Sequence, residues 1–206
     1  MKNAIVTLVV GKKYEEMVNV YCKDNWQKYC EIFDYDLIVI KKTLDKSKRA
    51  LERSVAWQKL LILSQEWSDK YDQIVWIDSD ILINYKIAQD ITSHVSIEKV
   101  GAVESYSIPS KISHDIALKR TYDYWKKNNV PYIDNLTPGE YYTNRGIPGG
   151  DLKEVVQTGV FVCSPKYHRK IFERIYYNYE DINKNSEWNY EMPAMSYELL
   201  KANLVE

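Results

Sequence analysis

The sequence has no apolar run long enough to cross a bilayer. With 28 basic against 29 acidic residues, its net charge is only −1. The first absence predicts a protein without a membrane span. The second removes the electrostatic argument for nucleic acid, or for an anionic membrane, as a partner. Cysteine is scarce and odd in number: Cys22, Cys30 and Cys163, with no CxxC pair and no His at zinc spacing. These read as buried, reduced thiols of a reducing compartment, so a cytoplasmic location is expected. The N-terminal stretch MKNAIVTLVVGKKY has a short apolar run but no small-residue cleavage site after it. A buried strand explains it better than a signal peptide. Phenylalanine is rare as well, 3 against 18 Tyr and 6 Trp. Amphipathic aromatics suit sugar-handling surfaces, and they suit an aromatic core and rim equally well.

What is present suffices for a single domain: 206 residues, 45% hydrophobic and 28% charged, is ample for one core and short for two. Residues 3–10 (NAIVTLVV) form an apolar, β-branched run stopping at Gly11, which predicts a buried strand. A helix over 14–30 follows, with Met17, Val20, Tyr21 and Tyr29 at helical spacing, then a second strand, YDLIVI. A basic surface loop leads to an amphipathic helix expected at 52–67, with Val55, Leu60, Leu61, Leu63 and Trp67 inward. QIVWI is the third strand. A brief polar helix, a strand at 99–104, a helix at 114–128, a strand at 155–163 broken by Gly159, a helix from Pro165 to about Tyr179 and a last helix at 190–202 complete the order. Strand-then-helix repetition argues for an α/β fold with a mostly parallel central sheet flanked by helices. Ligand sites in such sheets open at the carboxyl ends of the strands. The stretch 129–151, rich in Pro, Gly, Asn and Tyr, predicts a long loop. Its Gly146, Gly149 and Gly150 are permissive hinges, and Tyr132, Tyr141 and Tyr142 suit a lid over a sugar.

The third strand runs into Asp78-Ser79-Asp80. Side chains alternate along a strand, so two carboxylates separated by one residue share a side. A hard divalent cation with oxygen ligands relieves their repulsion, and can neutralise a diphosphate as it leaves. Alone, the pattern equally fits two Asp that end a strand and cap a turn.

Three blocks in order resemble the glycogenin-like, nucleotide-diphospho-sugar glycosyltransferases. The first has Thr7-Leu8, Gly11 and Tyr14. The second spans Trp57 to Ile83, with Lys59-Leu60, Tyr71, Trp76-Ile77, Asp78, Asp80 and the apolar 81–83. The third is EVVQTGVFV from Glu154. The resemblance implies a single GT-A domain over residues 1–206 and transfer of a sugar, with retention, from a UDP-sugar. It implies Asp78 and Asp80 as ligands of a divalent metal, manganese by analogy. It also implies donor contacts from Thr7, Tyr14, Lys59, Ser79, Thr158 and Gly159, with Arg53 a further candidate on the same helix. Gln157 and Glu191 stand at positions close to the transferred sugar. The acceptor, whether glycan, lipid-linked or protein, is left open.

Two departures stand out. Gln157 replaces the family's Asn, which leaves the donor sugar open, and Glu191-Met192 replaces an Asp-Gln pair. The family's C-terminal block, His-x-x-Gly-x-x-Lys-Pro, which supplies a third metal ligand and a diphosphate Lys, is not found before Glu206. His94, His114 and His168 do not replace it and read as surface or capping residues. Two rival readings remain: a non-catalytic nucleotide-sugar-binding relative, and a phosphatase in which the first Asp of an Asp-x-Asp is the nucleophile. The second is disfavoured because that motif normally follows the first strand.

Overall fold

In a computed structural model, described over residues 1–105, 110–127, 136–180 and 190–206, the apolar runs become strands of one five-stranded sheet. Strands β1 (Asn3–Leu8), β2 (Tyr35–Ile40), β3 (Gln73–Ile77), β4 (Gly101–Glu104) and β5 (Val156–Cys163) lie in the order β2-β1-β3-β5-β4. β2, β1 and β3 pair in parallel, whereas β5 runs antiparallel to both β3 and β4. Four strands thus share a direction and only β5 is reversed, the mostly parallel sheet that was expected. Beyond β4, Val205 makes a parallel bridge to Val100.

Alternation along the strands builds a core on each face. Ala4 and Val6 of β1 and Ile74 and Trp76 of β3 pack with Leu60, Phe172, Ile175, Met195 and Leu199. Ile5, Val75 and Ile77 face the other way, onto Val18, Trp26, Tyr29 and Cys30. Each such fully buried large side chain contributes roughly 1.5–3 kcal/mol of transfer free energy. Helices α6 (Pro165–Asn178) and α7 (Met192–Lys201) cover the first face; α1 (Lys12–Met17) and α2 (Lys23–Phe33) lie on the second. The others are α3 (Lys48–Leu51), α4 (Lys111–Lys127) and α5 (Pro138–Thr143). Among the described residues, no helix is long and apolar enough to cross a membrane.

Four local expectations are corrected. The helix at 14–30 is interrupted by a π-helical turn, Val18–Cys22. This turn brings Val18 and Cys22 inward and leaves Val20 and Tyr21 exposed. The amphipathic helix at 52–67 is replaced by 3-10 segments, Val55–Ser64 and Glu66–Lys70. Trp57 through Leu63 are all buried while Val55 is exposed, so the segment is a core element with no solvent stripe. The polar stretch after Asp80 forms turns and no helix.

The fourth concerns the expected lid. Residues 128–135, with Tyr132, lie outside the described residues. At Thr137 a capping box with Glu140 starts α5. Tyr141 and Tyr142 are buried. A Cβ on Gly149 would stand 2.7 Å from Tyr142 Cγ, so this glycine serves close packing. Tyr142 and Tyr141 belong to the core and are not available to cover a ligand. The three cysteines are free and buried, as expected.

Candidate active site

Gly11 turns the chain from β1 into α1 with φ 102°, a backbone state that L side chains rarely adopt. Asp78 leaves β3 at the same edge. Between them opens a cleft of about 410 Å³ lined by Leu8, Val10, Tyr14, Ser54, Val55, Ala56, Lys59, Trp76, Asp78, Ser79 and Asp80. The expected placement at the carboxyl ends of β1 and β3 is therefore observed. All five residues of β3 are buried; Asp78 and Ser79 are then half-buried and Asp80 is exposed. The Asp78 N–H donates to Gly159 O at 2.8 Å, and the Ile81 N–H to Asp78 O at 3.2 Å. The first bond continues the sheet and the second turns the chain. On the far side, the Cys22 thiol donates to Ser79 O at 3.5 Å and the Trp26 indole to Ile81 O at 2.9 Å, tying the Asp-Ser-Asp turn to the helical layer.

At the centre is Lys59. Its ammonium donates to Asp78 Oδ1 at 3.0 Å, to Thr158 O at 3.0 Å and reaches Glu191 Oε1 at 2.8 Å. An ammonium has three N–H groups, and all three are engaged. Burial opposes its charge, but the carboxylates of Glu191 and Asp78 together more than offset this, so its pKa is raised above the ordinary lysine value. Trp76 Nε1 also donates to Asp78 Oδ1, at 2.8 Å, and Thr158 Oγ1 donates to Glu191 Oε1 at 2.8 Å. Glu191 Oε2 is buried without a hydrogen-bond partner among the described residues.

An irregularity in β5 makes this cluster possible. Between Ala102 and Glu104, β4 advances two residues while β5 covers five, Phe161 to Val156. The three extra residues break the alternation, so Thr158 reaches Glu191 on the face where Phe161 also packs. Gly159 lies at this bulge, where a Cβ would meet Asp78 Oδ2 at 3.3 Å. The strand expected to break at Gly159 runs unbroken through it, and the bulge brings β5 against Asp78.

The expected site residues divide into three sets. Tyr14, Lys59, Asp78, Ser79 and Asp80 line the cleft, and Thr158 and Gly159 stand directly behind it. Thr7 does not line it: Leu8 and Val10 do, and the Thr7 hydroxyl is buried without a partner among the described residues. Arg53 points elsewhere. Its guanidinium donates to Tyr176 O and Tyr179 O at the end of α6 and pairs with Glu180, the arrangement a cation adopts at a helix carboxyl terminus. Gln157 is exposed and Glu191 fully buried, and neither lines the cleft. His168 is not a surface residue: it is buried, its Nδ1 accepting from the Ser164 N–H that opens α6. His94 is exposed, and the side chain of His114 lies outside the described residues. Trp76 was not anticipated as a site residue, although its position two residues before Asp78 on a strand implies a shared face.

No protein-family model matches the sequence, and no curated protein does either. Solved structures do match. The chain is similar to a glycosyltransferase involved in the glycosylation of the major capsid of PBCV-1, with TM-score 0.52 and 16% identity over 98% of this chain and 81% of that one. It is similar also to the apo structure of the bifunctional glycosyltransferase WbbM, with TM-score 0.57 and 15% identity over 99% of this chain and 38% of that one. The chain therefore spans well under half the length of WbbM. At such identities the likeness establishes the fold: an open α/β sheet flanked by helices, as in GT-A-like glycosyltransferases.

Proposed function

We propose that this protein transfers a sugar from a nucleoside-diphosphate sugar, a UDP-sugar by resemblance, with a divalent cation held at Asp78 and Asp80. The observation that carries the reading is the cleft itself: Asp78, Ser79, Asp80 and Tyr14 share one strand-end cavity in a fold common to glycosyltransferases. Its volume lies in the usual range for small-molecule sites.

The residues suit a metal shared with substrate. Asp78 Oδ2 takes no hydrogen bond from the described residues, and Asp80 is exposed at the rim. The cleft carboxylates Asp78 and Asp80, with Glu191 behind Lys59, set three carboxylates against the one ammonium, a formal charge of −2. A divalent cation balances that charge. No group of three or more His, Cys, Asp or Glu suited to a metal occurs among the described residues. Two carboxylates completed by substrate phosphates and water are the ordinary way a small hard cation is held. When bound, such an ion neutralises charge developing on the diphosphate leaving group. Tyr14, half-exposed at the cleft mouth, offers a ring face to the base. The uridine base and retention are carried only by the resemblance, which leaves the donor sugar and the acceptor open.

A second reading, nucleotide-sugar binding without transfer, is favoured by the absence of Gln157 and Glu191 from the cleft lining. Calorimetry with UDP and UDP-sugars, with and without manganese, tests the first part of the proposal. Manganese-dependent binding that is lost in Asp80→Ala supports it, and affinity indifferent to both manganese and Asp80 refutes it. Slow donor hydrolysis, followed as free UDP, then separates an enzyme from a binding protein.

A further inference from the structure

We infer that Lys59 and Trp76 set which divalent cation the site accepts, by leaving Asp78 a single oxygen for it; this rests on the metal-assisted reading above. A carboxylate oxygen offers two lone-pair directions. On Asp78 Oδ1 both are taken, by Lys59 Nζ at 3.0 Å and Trp76 Nε1 at 2.8 Å. Neither donor is free to swing away. The Lys59 side chain is 4% exposed and held by Glu191 Oε1 at 2.8 Å and Thr158 O at 3.0 Å. The Trp76 ring stacks on Phe161 with an interplanar angle of 15°. Asp78 is therefore fixed with Oδ2 beside Gly159 and cannot grip an ion with both oxygens.

That restriction discriminates between ions. Calcium takes six to eight oxygens and commonly uses a carboxylate bidentately, whereas magnesium and manganese accept single oxygens in octahedral arrangements. A one-oxygen Asp78 suits the smaller ions and penalises calcium. The selectivity is built into the wall of the cleft by Lys59 and Trp76, with no need for a third protein ligand.

The test is UDP affinity of the full chain in manganese, magnesium or calcium, measured by calorimetry. The wild-type chain is compared with Trp76→Phe and with Lys59→Met/Glu191→Gln, which removes one charge of each sign. Trp76→Phe keeps a ring against Phe161 and decides the matter alone if the double variant does not fold. In the wild type, manganese and magnesium should raise UDP affinity roughly tenfold more than calcium does. In the variants the gap should close to about threefold or less, through a gain with calcium. A supporting role confined to the fold would weaken all three ions alike and leave the ratio unchanged. If the wild type binds UDP with manganese and the variants keep its manganese-to-calcium ratio, the inference is overturned and the nucleotide-sugar reading stands. If no cation raises wild-type UDP affinity, the metal-assisted reading falls, and this inference with it.

Discussion

Lys59 and Glu191 form a buried ion pair, Nζ to Oε1 at 2.8 Å with side chains 4% and 1% exposed. It joins the 3-10 segment Val55–Ser64 to the amino end of α7, where Glu191 is the N-cap residue. A carboxylate there also meets the positive end of the helix dipole. Removing one partner leaves the other charge buried alone. Lys59→Met should therefore cost about 3–5 kcal/mol, whereas Lys59→Met/Glu191→Met should recover most of that loss. Urea unfolding of the two variants checks this. A single variant as stable as the wild type would show that the pair does not secure α7.

Tyr14 is 54% exposed, and its ring lies 4.0 Å from where a Gly11 Cβ would be. Truncation removes a stacking surface and little else. Tyr14→Ala should leave the melting temperature unchanged and weaken UDP binding by roughly tenfold, the size of a lost base–aromatic contact. Unaltered UDP affinity would mean that the base sits elsewhere in the cleft.

His168 is fully buried, accepting from Ser164 N at 2.8 Å and facing Glu98 O at 3.0 Å. Burial lowers its pKa below the ordinary 6.5, against a weaker opposing pull from Glu98. Between the folded and unfolded values the unfolded chain binds more protons. Stability from this group is thus complete above about pH 6.5 and declines as pH falls towards the folded pKa, by at most about 1.4 kcal/mol per pH unit. Urea midpoints between pH 7.5 and 5.5 should fall in the wild type and less steeply in His168→Gln. Parallel slopes would assign the acid sensitivity to other groups.

Within 136–151 the amides of Tyr141 and Ile147 donate to Thr137 O and Tyr142 O at 2.8 and 3.0 Å. The Tyr142 hydroxyl is 2.6 Å from Ser196 Oγ on α7. Hydrogen exchange at these amides should be slow in the free protein and insensitive to UDP with manganese. Fast exchange that slows on adding nucleotide would restore the lid expected from composition.

Much of the architecture is local and was therefore legible in the residues alone. Apolar, β-branched runs, the first closed by Gly11 and the third by Asp78, mark β1, β2 and β3 closely, because buried strands need only their own side chains to announce them. Pro165 likewise marks the start of α6, and the Asp-Ser-Asp after QIVWI directed attention to the strand end where the cleft lies. Tertiary structure alone decided the rest. The reversed β5 and its three extra residues depend on pairing between distant segments, which no local pattern encodes. The same holds for Lys59: the resemblance implies a donor contact there, but Asp78, Thr158 and Glu191 converge on it only after folding and use all of its N–H groups. Arg53 was drawn to the end of α6 for a similar reason, since unsatisfied helix carbonyls attract a buried cation. The sequence determined which residues could carry charge and where the strands would end; the packing determined which of those charges meet each other and which are left for a ligand.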